Sequence, residues 1–242
     1  MHKKNNKTRL QIIKLASKLF IEEGYTNTSA TKICKLLNIS PGNLTFYFPS
    51  KDHLLSVIVN MLFIFQNMMM INATNEGSSS LLAYVLELTA MCAACNEDEI
   101  TRDFYKSIYT SELVLDLIRK NDTIKTKRVF AKYRPDWNDE MWQHTENIVS
   151  GIEYASIITK EDNVPLANKI ERALSAILLI YGVDQKTIDL KINKILSMDY
   201  RSLGNRILME FNTYVDSLTE DDLVKLYEWL YRLTFFVFKH IL

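Results

Sequence analysis

The chain has 242 residues, 48% hydrophobic and 24% charged, which supplies a full core and excludes a disordered or low-complexity chain. Its formal net charge is zero, yet residues 1–53 hold nine Lys or Arg against three acids while the other 189 hold 20 against 26. A basic end on a neutral molecule suits a polyanion, and three cysteines in a chain of this length exclude a disulfide framework.

Residues 1–7 read as a polar basic tail. Thr8 to Glu23 follows as a helix with Ile12, Ile13, Ala16, Leu19 and Phe20 on its apolar face, closed by Gly24. Thr28-Ser29 opens a second helix whose inward positions are Ala30, Ile33, Cys34 and Leu37. Asn38 takes the turn, since Asn tolerates the left-handed region, and Ile39 reads as a buried plug. Ser40-Pro41 starts a helix of about six residues, too short to be stable alone. Phe48-Pro49 ends it, and Ser50 caps a long helix to about Ile71.

Asn72 to Ser80 reads as a linker. Beyond it the pattern predicts helices over Leu81–Cys95, apolar all round, and Glu97–Arg119, with Ile100, Phe104, Ile108 and Leu115. A broken helix is expected in 121–136. Further helices follow over Trp137–Thr159, with Met141, Ile148, Ile152 and Ala155 on one stripe, and Pro165–Tyr181. Thr187–Val215 is interrupted near Asp199, and Glu220–Leu242 ends the chain. No strand pattern or internal repeat stands out. The fold class is all-α: an N-terminal helix-turn-helix unit over 1–52, joined by the long helix to a helical effector-binding and dimerisation domain over 53–242.

Two helices, a tight turn and a short exposed second helix form a DNA-binding arrangement. The phosphate candidates are Thr28, Ser29, Tyr47 and Lys51, at or beside helix N-termini that present free amides. The groove candidates are Ser40, Pro41, Gly42, Asn43, Thr45 and Phe46: Gly42 lets the backbone approach, Asn43 suits an adenine edge and the Thr45 methyl a thymine methyl. Core packing is the competing role for Phe46 and Tyr47. One such unit has too small a footprint for a specific site, so a homodimer on a palindromic double-stranded DNA site is expected.

The residues Phe20-x-x-x-Gly24-Tyr25-x-x-Thr28-Ser29-x-x-x-Ile33, then Ile39-Ser40-x-Gly42-x-Leu44-x-x-Tyr47-Phe48-x-Ser50-Lys51-x-x-Leu54-Leu55, carry a family likeness. This stretch resembles the TetR (tetracycline-repressor-like) family of bacterial transcriptional regulators. Asn38 stands where that family usually has Gly, and Thr45 where it usually has Tyr. The resemblance implies a repressor released from its operator by a small ligand, and a four-helix dimer interface from two late helices of each subunit. Pro165–Tyr181 and Tyr200–Val215 are the candidates, with Asp221–Leu242 in competition through Leu223, Leu226, Trp229, Leu230, Leu233 and Phe236 to Phe238.

Tyr84, Met91, Phe104, Tyr105, Tyr109, Trp137, Trp142 and Tyr154 individually read as core, and together as the lining of a cavity for a hydrophobic or amphipathic effector. A cavity of several hundred Å3 would favour that reading. A filled core with a large apolar patch would favour docking of a protein partner instead. Cys92-x-x-Cys95 lacks further ligands and sits late in a helix before acids, so neither a metal nor a redox role is expected. The remaining Asp and Glu residues are spaced like solvated helix faces, and no nucleophile–base constellation stands out; no enzyme activity and no cofactor are expected. The start MHKKNNKTRL lacks the apolar core of a signal peptide. The longest apolar run, Met61 to Ile71, is broken by Gln66 and Asn67 and reads as too short to cross a bilayer. A cytoplasmic protein with no membrane partner is expected.

Overall fold

Capping side chains mark most of the helix starts. The computed structural model describes residues 2–77, 79–160 and 163–226, with side chains from Asn6 onward. Among them the helices run α1 His2–Glu22, α2 Ala30–Leu37, α3 Pro41–Tyr47, α4 Lys51–Thr74, α5 Leu81–Glu97, α6 Glu99–Thr110, α7 Glu112–Phe130, α8 Asp139–Ile158, α9 Leu166–Ile180, α10 Gln185–Leu196 and α11 Tyr200–Ser217. Ser29, Ser40, Ser50, Ser80, Asp98, Asn138, Asp184 and Asp199 each accept an amide from the first turn of the helix they precede, as N-caps do. No strand forms among the described residues.

The centre of the molecule is α5, buried nearly all round and packed against α4, α6, α8, α9, α10 and α11. Gly204 brings α11 onto it: a Cβ there would overlap the Ala90 carbonyl oxygen and lie 3.2 Å from the Ala94 nitrogen. On its other side α11 receives α1. Lys14 Nζ donates to the Asp216 carbonyl at 2.6 Å and Ser17 Oγ to Asn212 Oδ1 at 3.0 Å. One hydrophobic core therefore runs unbroken from Leu10 to Leu223. The N-terminal unit does not stand apart from the rest: its core residues Phe20, Ile33, Leu44 and Phe48 belong to that same core.

Several expectations are corrected. The expected tail is the first turns of α1, which begins at His2, because no Gly or Pro interrupts residues 2–23. Of the inward positions of α2, Ile33 and Cys34 are buried, Leu37 half-buried and Ala30 exposed, and Ile39, expected as a buried plug after the turn, is half-buried. The helix expected over Glu97–Arg119 starts after Asp98 and breaks at Ser111. The expected broken helix is instead the continuation of α7 to Phe130. Asn121, which locally favours a turn, donates to Asn60 Oδ1 on α4 at 3.1 Å, so its side chain serves the tertiary structure.

The apolar run around Met61 belongs to a helix of 24 residues. By length and composition α4 is able to cross a bilayer, but 56% of its most apolar window is buried within the protein. Its mid-helix Gln66 donates to the Tyr105 hydroxyl at 2.8 Å. Residues 220–226 are helical. Leu223 in that segment is buried, and the expected apolar surface from Trp229 to Phe238 lies outside the described residues.

Candidate nucleic-acid interface and a buried cavity

The turn of the N-terminal unit follows its local chemistry. Asn38 adopts φ 53° and ψ 46°, and its amide donates back to Cys34 and Lys35. Ser40 Oγ accepts the Asn43 amide at 3.1 Å, fixing the first turn of α3. Only Leu44 of α3 is buried, so one side chain anchors the helix to the core. Pro41, Gly42, Asn43 and Thr45 face outward together with Ser40 and Ser29.

Phe46 is 70% exposed, which removes core packing as its role; Tyr47 is half-buried, meets Phe46 edge-on at 5.1 Å and has the Arg9 guanidinium 5.8 Å from its ring centre. A Cβ at Gly42 would meet only Ser40 Oγ, at 4.0 Å. The fold itself therefore has room for a side chain there. Thr45 Oγ1 donates to the Gly42 carbonyl at 3.2 Å.

Two phosphate candidates are placed differently from expectation. Thr28 is fully buried, and its hydroxyl donates to the Gly24 carbonyl at 2.9 Å and the Leu19 carbonyl at 3.3 Å. It ties the end of α1 and offers nothing to a phosphate. Lys51 folds inward, donating to the Tyr25 carbonyl at 2.9 Å and the Thr28 carbonyl at 3.0 Å, with its ammonium 3.8 Å from the Tyr25 ring centre. Burial lowers its pKa, opposed by the charges of Asp52 and Asp103. The Tyr25 hydroxyl donates to Asp52, and burial, then that bond, raises its pKa well above the usual tyrosine value. These residues form a clamp that holds the loop between α1 and α2 on the start of α4.

The same loop is held from the other part of the molecule. On α6, Asp103 accepts the Thr26 amide at 2.9 Å and the Thr26 hydroxyl at 2.5 Å. It sits against Gly24, whose φ of +91° suits glycine and where a Cβ would come within 2.9 Å of the carboxylate. Sequence reasoning missed Asp103, because the pairing spans 77 residues.

Within the helical part a cavity of about 60 Å3 lies between α4, α5, α6, α7 and α8, room for about two waters. It is smaller than the several hundred Å3 expected for a preformed effector site. Tyr84, Met91, Tyr105 and Tyr109 line it, with Phe63, Gln66, Glu87, Ile118, Asp122, Lys125 and Glu153. The other four candidates lie elsewhere. Phe104 is buried beside Tyr105, ring centres 5.6 Å apart, and Tyr154 rests on Tyr109 at 5.9 Å. Trp137 and Trp142 belong to a separate aromatic cluster with Tyr181, which stacks on Phe130 at 4.1 Å.

The charged lining was not anticipated. Glu87 and Glu153 of the lining are buried, as is Glu146 next to Asp122 and Glu153, contrary to the expectation of solvated acidic faces. Lys125 pairs with Glu87. Burial first, then the charge of Glu146 on Asp122 and of Asp122 on Glu153, pushes these two carboxyls well above the usual carboxylate range.

Cys92 and Cys95 are free and buried. Burial pushes the Cys92 thiol up to about 12 and raises Cys95 likewise, which disfavours the thiolate form of both.

Of the stripe expected on α8, Ile148, Ile152 and Ala155 face a groove shared with Pro165, Arg172, Ala173 and Ala176 around α9. Ile148 is 60% exposed, and Met141 is exposed as well. Of the expected interface helices, α9 borders this groove. By contrast, α11 commits Ile207, Leu208, Phe211 and Val215 to the core.

A family model described as bacterial regulatory proteins, tetR family, matches residues 12–58. The chain is 38% identical over 80 residues to YuxN, an uncharacterized HTH-type transcriptional regulator of Bacillus subtilis (strain 168). That match takes in 33% of this chain but only 28% of the relative. The crystal structure of a gamma-butyrolactone receptor aligns over 86% of this chain and 99% of its own, with a TM-score of 0.40 and 16% identity.

Proposed function

We propose that this chain, which belongs to the TetR family of bacterial DNA-binding regulators, binds a palindromic operator as a homodimer and leaves it when a small molecule enters its helical part. The observation that carries the DNA half is α3. It is a helix of seven residues anchored by Leu44, with Ser40, Pro41, Gly42, Asn43, Thr45 and Phe46 all exposed. Such a surface suits the major groove, where Asn43 can read an adenine edge. Ser29 and the α4 N-terminus supply the flanking phosphate contacts. Arg9 beside Tyr47 adds charge at the same face.

The operator is released through the contacts that hold the N-terminal unit. Cavity walls on α4 and α6 are continuous with Lys51 and Asp103, which grip the loop before α2. A ligand larger than the cavity must displace those walls, and the displaced state holds the two α3 helices at a spacing unsuited to the operator. The second copy covers the α8–α9 groove, where exposed Ile148 and Ala155 offer an apolar face for a two-fold contact. The test is genome-wide footprinting followed by anisotropy on the recovered sites. Palindromic sites near a small set of genes support the reading, and uniform binding without site preference overturns it.

A further inference from the structure

At the edge of the cavity, where Asp122 and Glu153 line it, lies a carboxylate cluster that DNA binding does not use. Asp122 on α7 and Glu146 and Glu153 on α8 bring three carboxylate oxygens within 4.8 Å of one another. Glu146 and Glu153 are seven residues apart, two turns along one helix face, and both are buried. Lys125, the cation among the cavity's lining residues, is paired with Glu87. Among the buried polar atoms without a hydrogen-bond partner in the described residues are Glu146 Oε1 and the hydroxyl of Tyr84, which lines the same cavity as Asp122 and Glu153.

We propose that Asp122, Glu146 and Glu153 form a binding site for a hard divalent cation of the Mn2+, Mg2+ or Ca2+ class. Metal–oxygen distances of about 2.0–2.6 Å place ligand oxygens up to about 5 Å apart, the spread that these three carboxylates already have. The donor set is oxygen alone, which selects hard cations over zinc or copper. Hydrogen bonds orient two of the ligands: Tyr109 donates to Glu153 Oε2 at 3.2 Å, and Thr126 and Tyr181 donate to Glu146 Oε2 at 3.1 and 2.8 Å. Glu146 Oε1 is thereby left for the ion. The cavity has room for waters that would complete the shell, and the unpartnered Tyr84 hydroxyl lines it. The ion offsets the charge of three carboxylates and links α7 to α8 beneath the effector cavity.

Any regulatory meaning of the site rests on the effector reading above. Cation uptake is measured without DNA, so the two stand or fall separately. The full chain, stripped with EDTA, is titrated with Mn2+ while the free-ion electron paramagnetic resonance signal and the thermal midpoint are followed. One Mn2+ per chain, a rising midpoint and competition by Mg2+ or Ca2+ are expected. Glu153→Gln and Asp122→Asn should fold in EDTA and bind Mn2+ at least about tenfold more weakly. Wild-type protein that leaves the Mn2+ signal and the midpoint unchanged at millimolar ion overturns the proposal. So does a folded variant of either kind that binds like wild type.

Discussion

Replacing Lys51 separates a structural role from a direct phosphate contact. Lys51→Ala removes two charge-assisted hydrogen bonds, to the Tyr25 and Thr28 carbonyls, and the ammonium over the Tyr25 ring. Such bonds contribute about 1.5–3 kcal/mol each when well buried, and an exposed cation–π contact about 0.5–1. Lys51 is only half-buried, so water replaces part of what is lost and the net cost is about 2 kcal/mol. For a protein of this size that lowers the thermal midpoint by about 4–8 °C. Operator affinity falls because the loop that sets α2 and α3 on α4 loosens. The salt dependence of binding, measured by anisotropy across a salt titration, keeps its slope, since the ammonium is already engaged within the protein. A phosphate contact predicts the reverse pattern: a slope shallower by about 0.9 per head with an unmoved midpoint. That result would refute the clamp.

Phe46→Ala should leave the midpoint within about 0.5 kcal/mol of wild type while lowering affinity for a footprinted site, because Phe46 is exposed; a clear loss of stability would return it to the core. Gly204→Ala puts a methyl against the Ala90 carbonyl. It should destabilise by about 1–3 kcal/mol in urea denaturation, and a neutral result would mean that α11 does not close on α5 as described. Burial, then Asp122 and Glu146, raise the Glu153 carboxyl well above its usual range. Such a group adds stability below its unfolded value of about 4.3 and loses that contribution as pH rises through the folded value. In EDTA, Glu153→Gln should therefore match wild type near about pH 4 and exceed it in urea midpoint near about pH 8; equal midpoints at both would refute the buried charge. Ile148→Glu should convert a dimer to monomers in sedimentation with little change in helicity, and a persistent dimer would place the interface away from the α8–α9 groove.

The N-terminal unit was legible because its signals are local. A serine cap, a proline at the first helical position and an asparagine able to take positive φ act within a few residues. The structure shows all three: Ser40, Pro41 and Asn38. The side chains that hold the unit in place were not legible. Thr28 and Lys51 look like outward polar residues at helix starts, but both turn inward onto carbonyls. Their acceptors lie as many as 26 residues away in sequence, and no periodicity records such a pairing.

For α8 the helical pattern was legible, and which of its faces is buried was not. Met141, Ile148, Ile152 and Ala155 form an apolar stripe, and hydrophobicity alone turns such a stripe inward. In the fold the inward face carries Trp142, Glu146, Val149, Ser150 and Glu153. The hydroxyls of Thr126, Tyr181 and Tyr109, on three other segments, receive its two glutamates. Burying a carboxylate is costly unless such partners are present, and partners from distant segments exist only once the chain is folded. The sequence by itself therefore determined the helices, the turn and the exposed face of α3, all of which rest on neighbours along the chain. Which face of α8 is buried, where the charge inside the cavity sits and what grips the DNA-binding unit were decided by tertiary structure, because each depends on desolvation and on hydrogen bonds between residues brought together only by packing.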